Sequence, residues 1–523
     1  MRRKFYLGFS LVLLTIALLL TMLHDLRWFL ALLIPLVAIG IYDIIQKKHA
    51  ILRNFPILGH VRFILEFFRP EIQQYFIADD LSERPFNRET RTVVYSRAKN
   101  VRDTVPFGTL LNPYENGFEW ILHSLAPKHV SEVDPRMTVG GPQCQKPYSA
   151  SRLNISAMSF GSLSNNAIMA LNKAAKMGNF AHNTGEGGLS DYHLMGGDII
   201  WQLGTAYFGC RTADGKFDEA EFAKEANRDV VKMIEIKLSQ GAKPSHGGIL
   251  PAAKLTPEIA RIRKVPMGQD VLSPPAHSTF SNPTEMMHFI ARLREITGGK
   301  PIGFKLCIGR KSEFLGICKA MLKTGILPDF ITVDGTEGGT GAAPMEFVNH
   351  VGAPLAEGLL FVHNSLVGIG VRDKIRIIAA GKVATGFDML TKLALGADMC
   401  NAARAMMMSL GCIQSLQCHA NTCPTGVATQ DPRLARGLVI DEKKIRVAQF
   451  HNATVHSFLE LVGAMGLNNP DEVDGRLIMR RINSAEAKSY HDIYEYIEPG
   501  SLLGNAIPAR FIRHWEHASA ERF

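Results

Sequence analysis

The chain has 523 residues, 46% of them apolar and 20% charged, with a formal net charge of +9. This composition excludes a disordered chain and a polytopic membrane protein. The length exceeds what one growing core takes, yet a single elaborated α/β barrel can occupy about 250 to 400 residues, so one large domain with appendages is expected. Many of the surplus basic residues flank the N-terminal apolar segments, and no nucleic-acid partner is expected.

Phe5 to Leu23 gives 19 uncharged positions, and Trp28 to Ile45 is a second apolar run interrupted by Pro35 and Asp43. Each is about as long as a bilayer span. Arg2, Arg3 and Lys4 precede the first run, and Lys47 and Lys48 follow the second, a pattern that places both ends inside. No small-residue cleavage site follows the first run, as a signal peptide would need. Nearly every position of Leu11 to Leu20 is apolar, which leaves no solvated face for a buried core hairpin. Residues 1–50 are therefore expected to form a transmembrane hairpin that holds a cytoplasmic catalytic body at the cell membrane.

Residues 51–150 alternate basic and aromatic clusters, such as Arg53-Asn54-Phe55-Pro56 and Arg84-Pro85-Phe86-Asn87-Arg88, without a long periodic segment. An irregular layer packed on the main domain is expected there. From Asn154 onward, short apolar runs alternate with helical patterns, as in a parallel sheet. Strands are predicted at Asn154–Phe160, Asn179–Asn183, Ile234–Leu238, Asp270–Ser273, Pro301–Cys307, Phe330–Val333, Ile375–Ala380 and Asp398–Ala402. Helices are predicted at Ser164–Met177, Glu219–Lys232, Pro257–Arg263, Pro283–Ile296, Lys311–Lys323, Ala356–Val367 and Thr385–Leu395. Eight strands make residues 151–411 a (β/α)8 barrel of the TIM type, in the α/β class. A cysteine-bearing loop occupies 412–430, and 431–523 reads as a helical C-terminal segment.

Glycine-rich turns follow several strands: Phe160-Gly161-Ser162, Thr184 to Gly188, Asp334 to Gly341, and Gly381-Lys382. In a parallel barrel these lie on the carboxyl-end face, where active sites form. Successive backbone N–H groups without side chains cradle phosphate, and Gly381-Lys382 and Ala403-Arg404, after strands seven and eight, occupy the usual phosphate position. Each such turn by itself also serves as an ordinary tight turn.

Of eight cysteines the last three close up, as Cys412, Cys418 and Cys423 in a C-x5-C-x4-C-P arrangement. In a cytoplasmic chain this favours metal or catalysis over disulfides. Three thiolates with His419 would suit tetrahedral zinc, three thiolates alone an iron-sulfur cluster, and buried free cysteines need neither. The spacing points to a metal site without naming the metal.

Taken together, Ile155-Ser156-Ala157-Met158-Ser159-Phe160-Gly161, Asn183 to Gly188, Gln240-Gly241-Ala242-Lys243-Pro244, Asp334-Gly335 through Ala342, and the cysteine loop running on to Gln430 resemble the FMN-binding synthase domain of glutamate synthases, in a short form lacking the glutaminase domain. The resemblance covers about Asn154 to Gln430. It implies FMN on the barrel top and a 3Fe-4S cluster on Cys412, Cys418 and Cys423. It places Ser159 and Gln202 beside the isoalloxazine and Lys305 at its N1–C2 edge, where a cation stabilises reduced flavin; a barrel lysine paired with a carboxylate is the other role open to Lys305. Gly381 and Arg404 would bind the phosphate, and Gly335, Gly338, Gly339 and Lys382 would also bind the cofactor. Gln240, Lys243 and Arg263 fall where the family binds 2-oxoglutarate, although Arg263 would also suit a surface run with Arg261 and Lys264. Glu186 resembles the carboxylate near the imine-forming centre and the ammonia entry, and would otherwise order the amides of its glycine loop.

Two departures stand out. Ser245-His246-Gly247-Gly248 replaces the usual Gly-Glu-Gly-Gly phrase, and no G-x-G-x-x-G turn follows a strand. Neither glutamine hydrolysis nor direct NAD(P)H oxidation is expected of this chain, and an electron-donor protein becomes a candidate partner. The expected function is an oxidoreductase reducing 2-iminoglutarate formed from 2-oxoglutarate and ammonia. Two alternatives stand beside it: a membrane-associated FMN and iron-sulfur dehydrogenase passing electrons to a carrier, and a non-redox phosphate-binding barrel with structural zinc.

Overall fold

The computed structural model describes residues 10–11, 14–15, 27–101, 104–130 and 135–523. Two compact units divide the chain, Met1–Arg88 and Glu89–Phe523.

In the first unit, helices run over Arg27–Ile45, Ala50–Asn54 and Leu58–Ile72. Pro35 lies inside the first, and Asp43 near its end is fully buried, accepting hydrogen bonds from Ile57 N at 2.8 Å and His60 Nε2 at 2.9 Å. That final turn is thus tied through a carboxylate to the helices that follow it. Among the described residues no helix is long and apolar enough to cross a membrane. The expected transmembrane hairpin, and with it the cell-membrane location, is therefore corrected. The first predicted span, Phe5 to Leu23, lies outside the described residues except at positions 10, 11, 14 and 15. The stretch expected to be irregular also holds ordered helices, Leu58–Ile72 and Arg88–Ala98.

The second unit is built on a closed barrel of eight parallel strands: β1 Leu153–Ile155, β2 His182–Asn183, β3 Ile199–Leu203, β4 Val231–Lys237, β5 Ile302–Cys307, β6 Phe330–Asp334, β7 Arg376–Ala380 and β8 Met399–Ala402. Every strand pairs with its neighbours in chain order, and β8 closes onto β1 through Cys400 opposite Leu153. Seven of the predicted strands fall on these positions. The eighth, Asp270–Ser273, does not: Val271–Leu272 pairs antiparallel with Ile249–Leu250 outside the barrel. The third barrel strand is instead Ile199–Leu203, whose Ile-Ile-Trp-Gln-Leu run sits between glycine-rich turns and lacks the helical pattern that would have set it off.

The helices follow the predicted spacing closely, and Pro257–Arg263 and Pro283–Ile296 match it residue for residue. Both begin with proline at the first turn behind an Asn or Thr cap, where the missing N–H costs nothing. The predicted Glu219–Lys232 helix ends at Ala226, because Val231 and Lys232 belong to β4.

The amino end of the barrel is closed by a hairpin, Met137–Val139 with Tyr148–Ala150, which packs with Ala181, Ile200, Met233, Phe330, Ile378 and Met399. Around this apolar plug, Asp329 accepts from Gly141 N at 2.7 Å, Ile302 N at 2.8 Å and Arg294 at 2.9 Å. Helix Ile440–Ala464 packs along helix Asn165–Gly178, and a small antiparallel sheet joins Glu119–Ile121 to Ile478–Arg481 and Ala487–Ser489. The C-terminal segment is thus part helix and part sheet.

Replacing Asp329 with alanine leaves Arg294 buried and unpaired, so destabilisation of roughly 3 to 5 kcal/mol is expected. Urea unfolding followed by tryptophan fluorescence measures it, and a change below about 1 kcal/mol would contradict the role given to this carboxylate.

Candidate active site

Polar side chains excluded from the amino end of the barrel are concentrated at the carboxyl ends of the strands. Along β4, Ile234-Glu235-Ile236-Lys237 sends alternate side chains inward. Glu235, 1% exposed, accepts from Asn183 Nδ2 at 2.8 Å, Gln202 Nε2 at 2.5 Å and Thr332 Oγ1 at 2.6 Å. Donors from β2, β3 and β6 thus satisfy one carboxylate across the barrel interior.

Two residues further along, parallel register sets Lys237 directly beside Lys305 of β5. Each ammonium has its own carboxylate: Lys237 Nζ lies 2.7 Å from Glu186 Oε1, and Lys305 Nζ lies 3.2 Å from Asp334 Oδ2. Burial opposes charge on Lys305, but Asp334, Glu235 and Glu186 outweigh it and raise its pKa above the ordinary lysine value. Burial alone would raise the Glu186 carboxyl, but Lys237, then Lys243 and Arg263, hold it below the ordinary range. Lys305 is thus a barrel lysine paired with a carboxylate.

The turn after β4 carries Gln240 and Lys243. Gly241 N donates to Asp334 Oδ2 at 3.0 Å, and a Cβ at Gly241 would fall 1.5 Å from Gly335 O, so only glycine lets these two loops meet. Lys243 is buried; burial first and Lys237 second push it down to about 8. Arg263 donates to Phe160 O at 3.2 Å and Ser159 Oγ at 3.4 Å and stands 5.0 Å over the Phe208 ring. At 5% exposure it does not belong to the surface run, and its Nε is buried without a partner. Lys243 and Arg263 thus both act electrostatically on Glu186, while Gln240 stands half-buried where the turn begins. His246, from the altered phrase, sets its ring 5.3 Å from that of Phe347.

Across the mouth, the turns after β6, β7 and β8 converge. Gly335 N donates to Ala380 O at 3.2 Å, and Arg404 donates to Glu337 O. A Cβ on Gly339 would fall 2.8 Å from Arg404 Nε, and one on Gly381 would fall 3.7 Å from Gly335 N. Gly335, Gly339, Gly381 and Arg404 are thereby brought together where these turns meet.

The cysteine loop leaves helix Arg404–Leu410 and bends through left-handed Gln414, Leu416 and Asn421. Lys254 pins it, donating to Cys418 O at 3.3 Å and Ser162 O at 2.6 Å, and Gln430 Nε2 reaches Gly161 O and Leu163 O at 3.1 and 2.8 Å. The loop is therefore fastened to the turn that carries Ser159. Burial raises Cys412 to about 11 and also raises Cys418. Cys423 is held below its ordinary value despite burial, by the Thr425 hydroxyl and backbone hydrogen bonds from Ala428, Thr425 and Val427. The three thiols lie close enough to perturb one another electrostatically. Among the described residues, no three His, Cys, Asp or Glu side chains meet in an arrangement that would hold a metal ion.

Sequence reasoning missed Glu235, Lys237 and Asp334. The signal was present: two charges alternating with isoleucine inside a strand buried on both faces must point into the barrel.

A family model described as a conserved region in glutamate synthase matches residues 127–468. The chain is similar to a glutamate synthase large subunit-like protein of Bacillus subtilis, with 39% identity over 83% of this chain and 90% of that protein. An archaeal-type glutamate synthase (NADPH) of Thermotoga sp. is 34% identical over 63% of this chain and 62% of its own length. The large chain of glutamate synthase (NADPH) of Bacillus subtilis is 32% identical over 62% of this chain and 21% of its own length. This chain thus spans less than two thirds of the latter two relatives.

A carboxylate whose pKa is depressed by folding stabilises the fold above its unfolded pKa, and that contribution is lost as pH falls through the folded value. Glu186 is such a group, with an ordinary value of 4.5. Lys237→Met removes its nearest cation, so the acid loss of thermal stability should begin at higher pH than in the wild type. Melting curves between about pH 3 and 7 test this, and superimposable pH profiles would refute it.

Proposed function

Because the chain belongs to the glutamate synthase family, it is a glutamate synthase-like oxidoreductase acting on CH–NH2 donors, and we propose that it reduces 2-iminoglutarate, formed from 2-oxoglutarate and ammonia, to glutamate. The observation that carries this reading is the pair of buried cations, Lys243 and Arg263, facing Glu186 beside the Lys305–Asp334 pair. A small dicarboxylate complements such a site, since guanidinium grips carboxylate through two parallel hydrogen bonds.

The barrel mouth fits FMN. The reading is supported by the glycine turns at Gly335 to Gly339 and Gly381, which meet beside Arg404 without side chains of their own, and by the orphaned, buried Arg263 Nε next to Ser159. Gly335, Gly338, Gly339, Gly381, Lys382 and Arg404 would hold the phosphate, Ser159 and Gln202 would border the ring system, and Lys305 would stand at its N1–C2 edge. The donor chemistry of Cys412, Cys418 and Cys423 fits a 3Fe-4S cluster. When bound, FMN supplies hydride for C2 of the imine and the cluster supplies electrons one at a time.

The remaining tasks fall to side chains. Lys243 and Arg263 orient the two carboxylates of 2-oxoglutarate, with Gln240 at the rim. Glu186, kept ionised by Lys237, accepts a hydrogen bond from the incoming nitrogen and orients it toward C2; the proton that ammonium loses before attack leaves to water and is regained from water as the hydroxyl departs. The sequence carries no dinucleotide-binding turn, and this favours a separate electron-donor protein as the source of reducing equivalents.

Purified protein should carry non-covalent FMN and about three irons per chain. Cys418→Ser should lose the iron while retaining flavin, because the phosphate cradle is built from other loops. Zinc in place of iron, with no flavin absorbance, would refute both cofactor assignments.

Titrating the flavin spectrum with 2-oxoglutarate tests the substrate clamp. Lys243→Ala should weaken binding tens-fold or more, since losing one partner of a buried charge pair costs about 2 to 5 kcal/mol. Lys243 titrates near 8, and its protonated form attracts the dianion, so wild-type affinity should fall as pH rises through that value and the variant should lack this step. Reduced enzyme indifferent to 2-oxoglutarate and ammonia, yet re-oxidised by a quinone analogue, would overturn the glutamate reading.

A further inference from the structure

The segment from Ser273 to Phe280, part of which was expected to be a barrel strand, crosses the outside of the mouth as a strap. Ser273 N donates to Gly248 O at 2.9 Å, and Thr205 Oγ1 donates to Pro274 O at 2.6 Å, so the strap joins the loops that follow β3 and β4. Gly248 in turn lies against Glu186: a Cβ there would fall 2.5 Å from Oε1.

At the centre of the strap, His277 is buried, stacked on Phe280 with ring centroids 5.0 Å apart. Its Nε2 lies 2.9 Å from Lys237 O and its Nδ1 lies 2.9 Å from Tyr207 Oη. Tyr207 Oη is 2.8 Å from Thr279 Oγ1 and accepts from Thr279 N at 3.3 Å. A carbonyl can only accept, so Nε2 carries the proton; in a neutral ring Nδ1 is then the acceptor, and Tyr207 donates to it. Burial lowers the His277 pKa to about 4, which keeps the ring neutral near pH 7. The hydrogen-bond directions therefore run from Thr279 through Tyr207 and His277 to a backbone carbonyl. A chain ending on a carbonyl delivers no proton to Glu186. What it fixes is the position of Lys237, the last residue of β4, whose ammonium pairs with Glu186.

We propose that His277 is a positioning residue for Lys237, holding the end of β4 so that the Lys237–Glu186 pair stays closed in the barrel mouth. For the catalytic meaning of Glu186 this rests on the function proposed above; for the placement of Lys237 it rests on geometry alone. Without the ring N–H, the Lys237 carbonyl loses its buried donor, the strand end relaxes, and the ammonium leaves its carboxylate.

The test uses the full-length protein as purified, treated with acetic anhydride and analysed by peptide mass spectrometry. His277→Phe keeps the stack on Phe280 and removes both hydrogen bonds; Lys237 acetylation should rise several-fold. Lys300, held at the other end of the barrel by Ala226 O and Arg228 O at 2.7 and 3.0 Å, should stay protected and thereby report that the fold is intact. His277→Gln, whose amide N–H can reach the Lys237 carbonyl, should restore protection. In the 2-oxoglutarate and ammonia assay, His277→Phe should lower kcat by about tenfold or more while KM for 2-oxoglutarate changes less, because the orientation of the nitrogen by Glu186 is disturbed and the clamp at Lys243 and Arg263 is not. Wild-type protection of Lys237 in His277→Phe, or equal labelling of Lys300, would overturn the proposal. Absence of glutamate formation in every variant and in the wild type would refute the functional reading, while the labelling would still decide the role of His277.

Discussion

Two lysines on adjacent strands, Lys237 and Lys305, are set side by side by the parallel register of β4 and β5, and much of the site follows from that adjacency. Inside a barrel mouth the charges are only partly screened by water, so each ammonium needs a carboxylate within contact distance. Glu186, from the turn after β2, and Asp334, at the end of β6, supply these at 2.7 and 3.2 Å. The two pairs tie the turn after β2 to β4, and β5 to β6. Lys243 and Arg263 add further positive charge around Glu186 and hold its carboxyl below the ordinary range.

The same barrel divides its chemistry along its axis. At the amino end, methionines, isoleucines and a capping hairpin exclude water, and a buried ion pair there, Arg294 with Asp329, has its carboxylate saturated by backbone N–H groups. At the carboxyl end, polar side chains occupy the inward positions, satisfied in turn by Asn183, Gln202 and Thr332 around Glu235. Stability and reactivity are thereby kept at opposite ends of one set of strands.

The cysteine loop and the barrel mouth share their fastenings. Lys254 and Gln430 both reach the turn that follows β1, the turn that also carries Ser159. Arg263 donates to Ser159 and Phe160 from the opposite side. Any displacement of the loop would therefore be felt at Ser159, a mechanical connection built from hydrogen bonds rather than from a shared ligand.

By itself the sequence determined the parallel barrel, because buried apolar runs alternating with helical patterns have few other solutions, and it marked the glycine turns, Glu186, Lys243, Arg263, Lys305 and the three cysteines through their local phrases. Those features are encoded within a few consecutive residues. Other features required the fold. The N-terminal apolar runs carry the composition of a membrane hairpin, but a buried Asp43 tied to Ile57 and His60 is a long-range fact that hydropathy does not contain. The strand periodicity of Val271 and Leu272 is genuine, yet their partners are Leu250 and Ile249 rather than a barrel neighbour, and pairing is decided by which edges are free. The significance of Glu235, Lys237, Asp334 and His277 was likewise settled only in three dimensions, since a charge in a buried strand acquires its role from the residue that register and strand closure place opposite it.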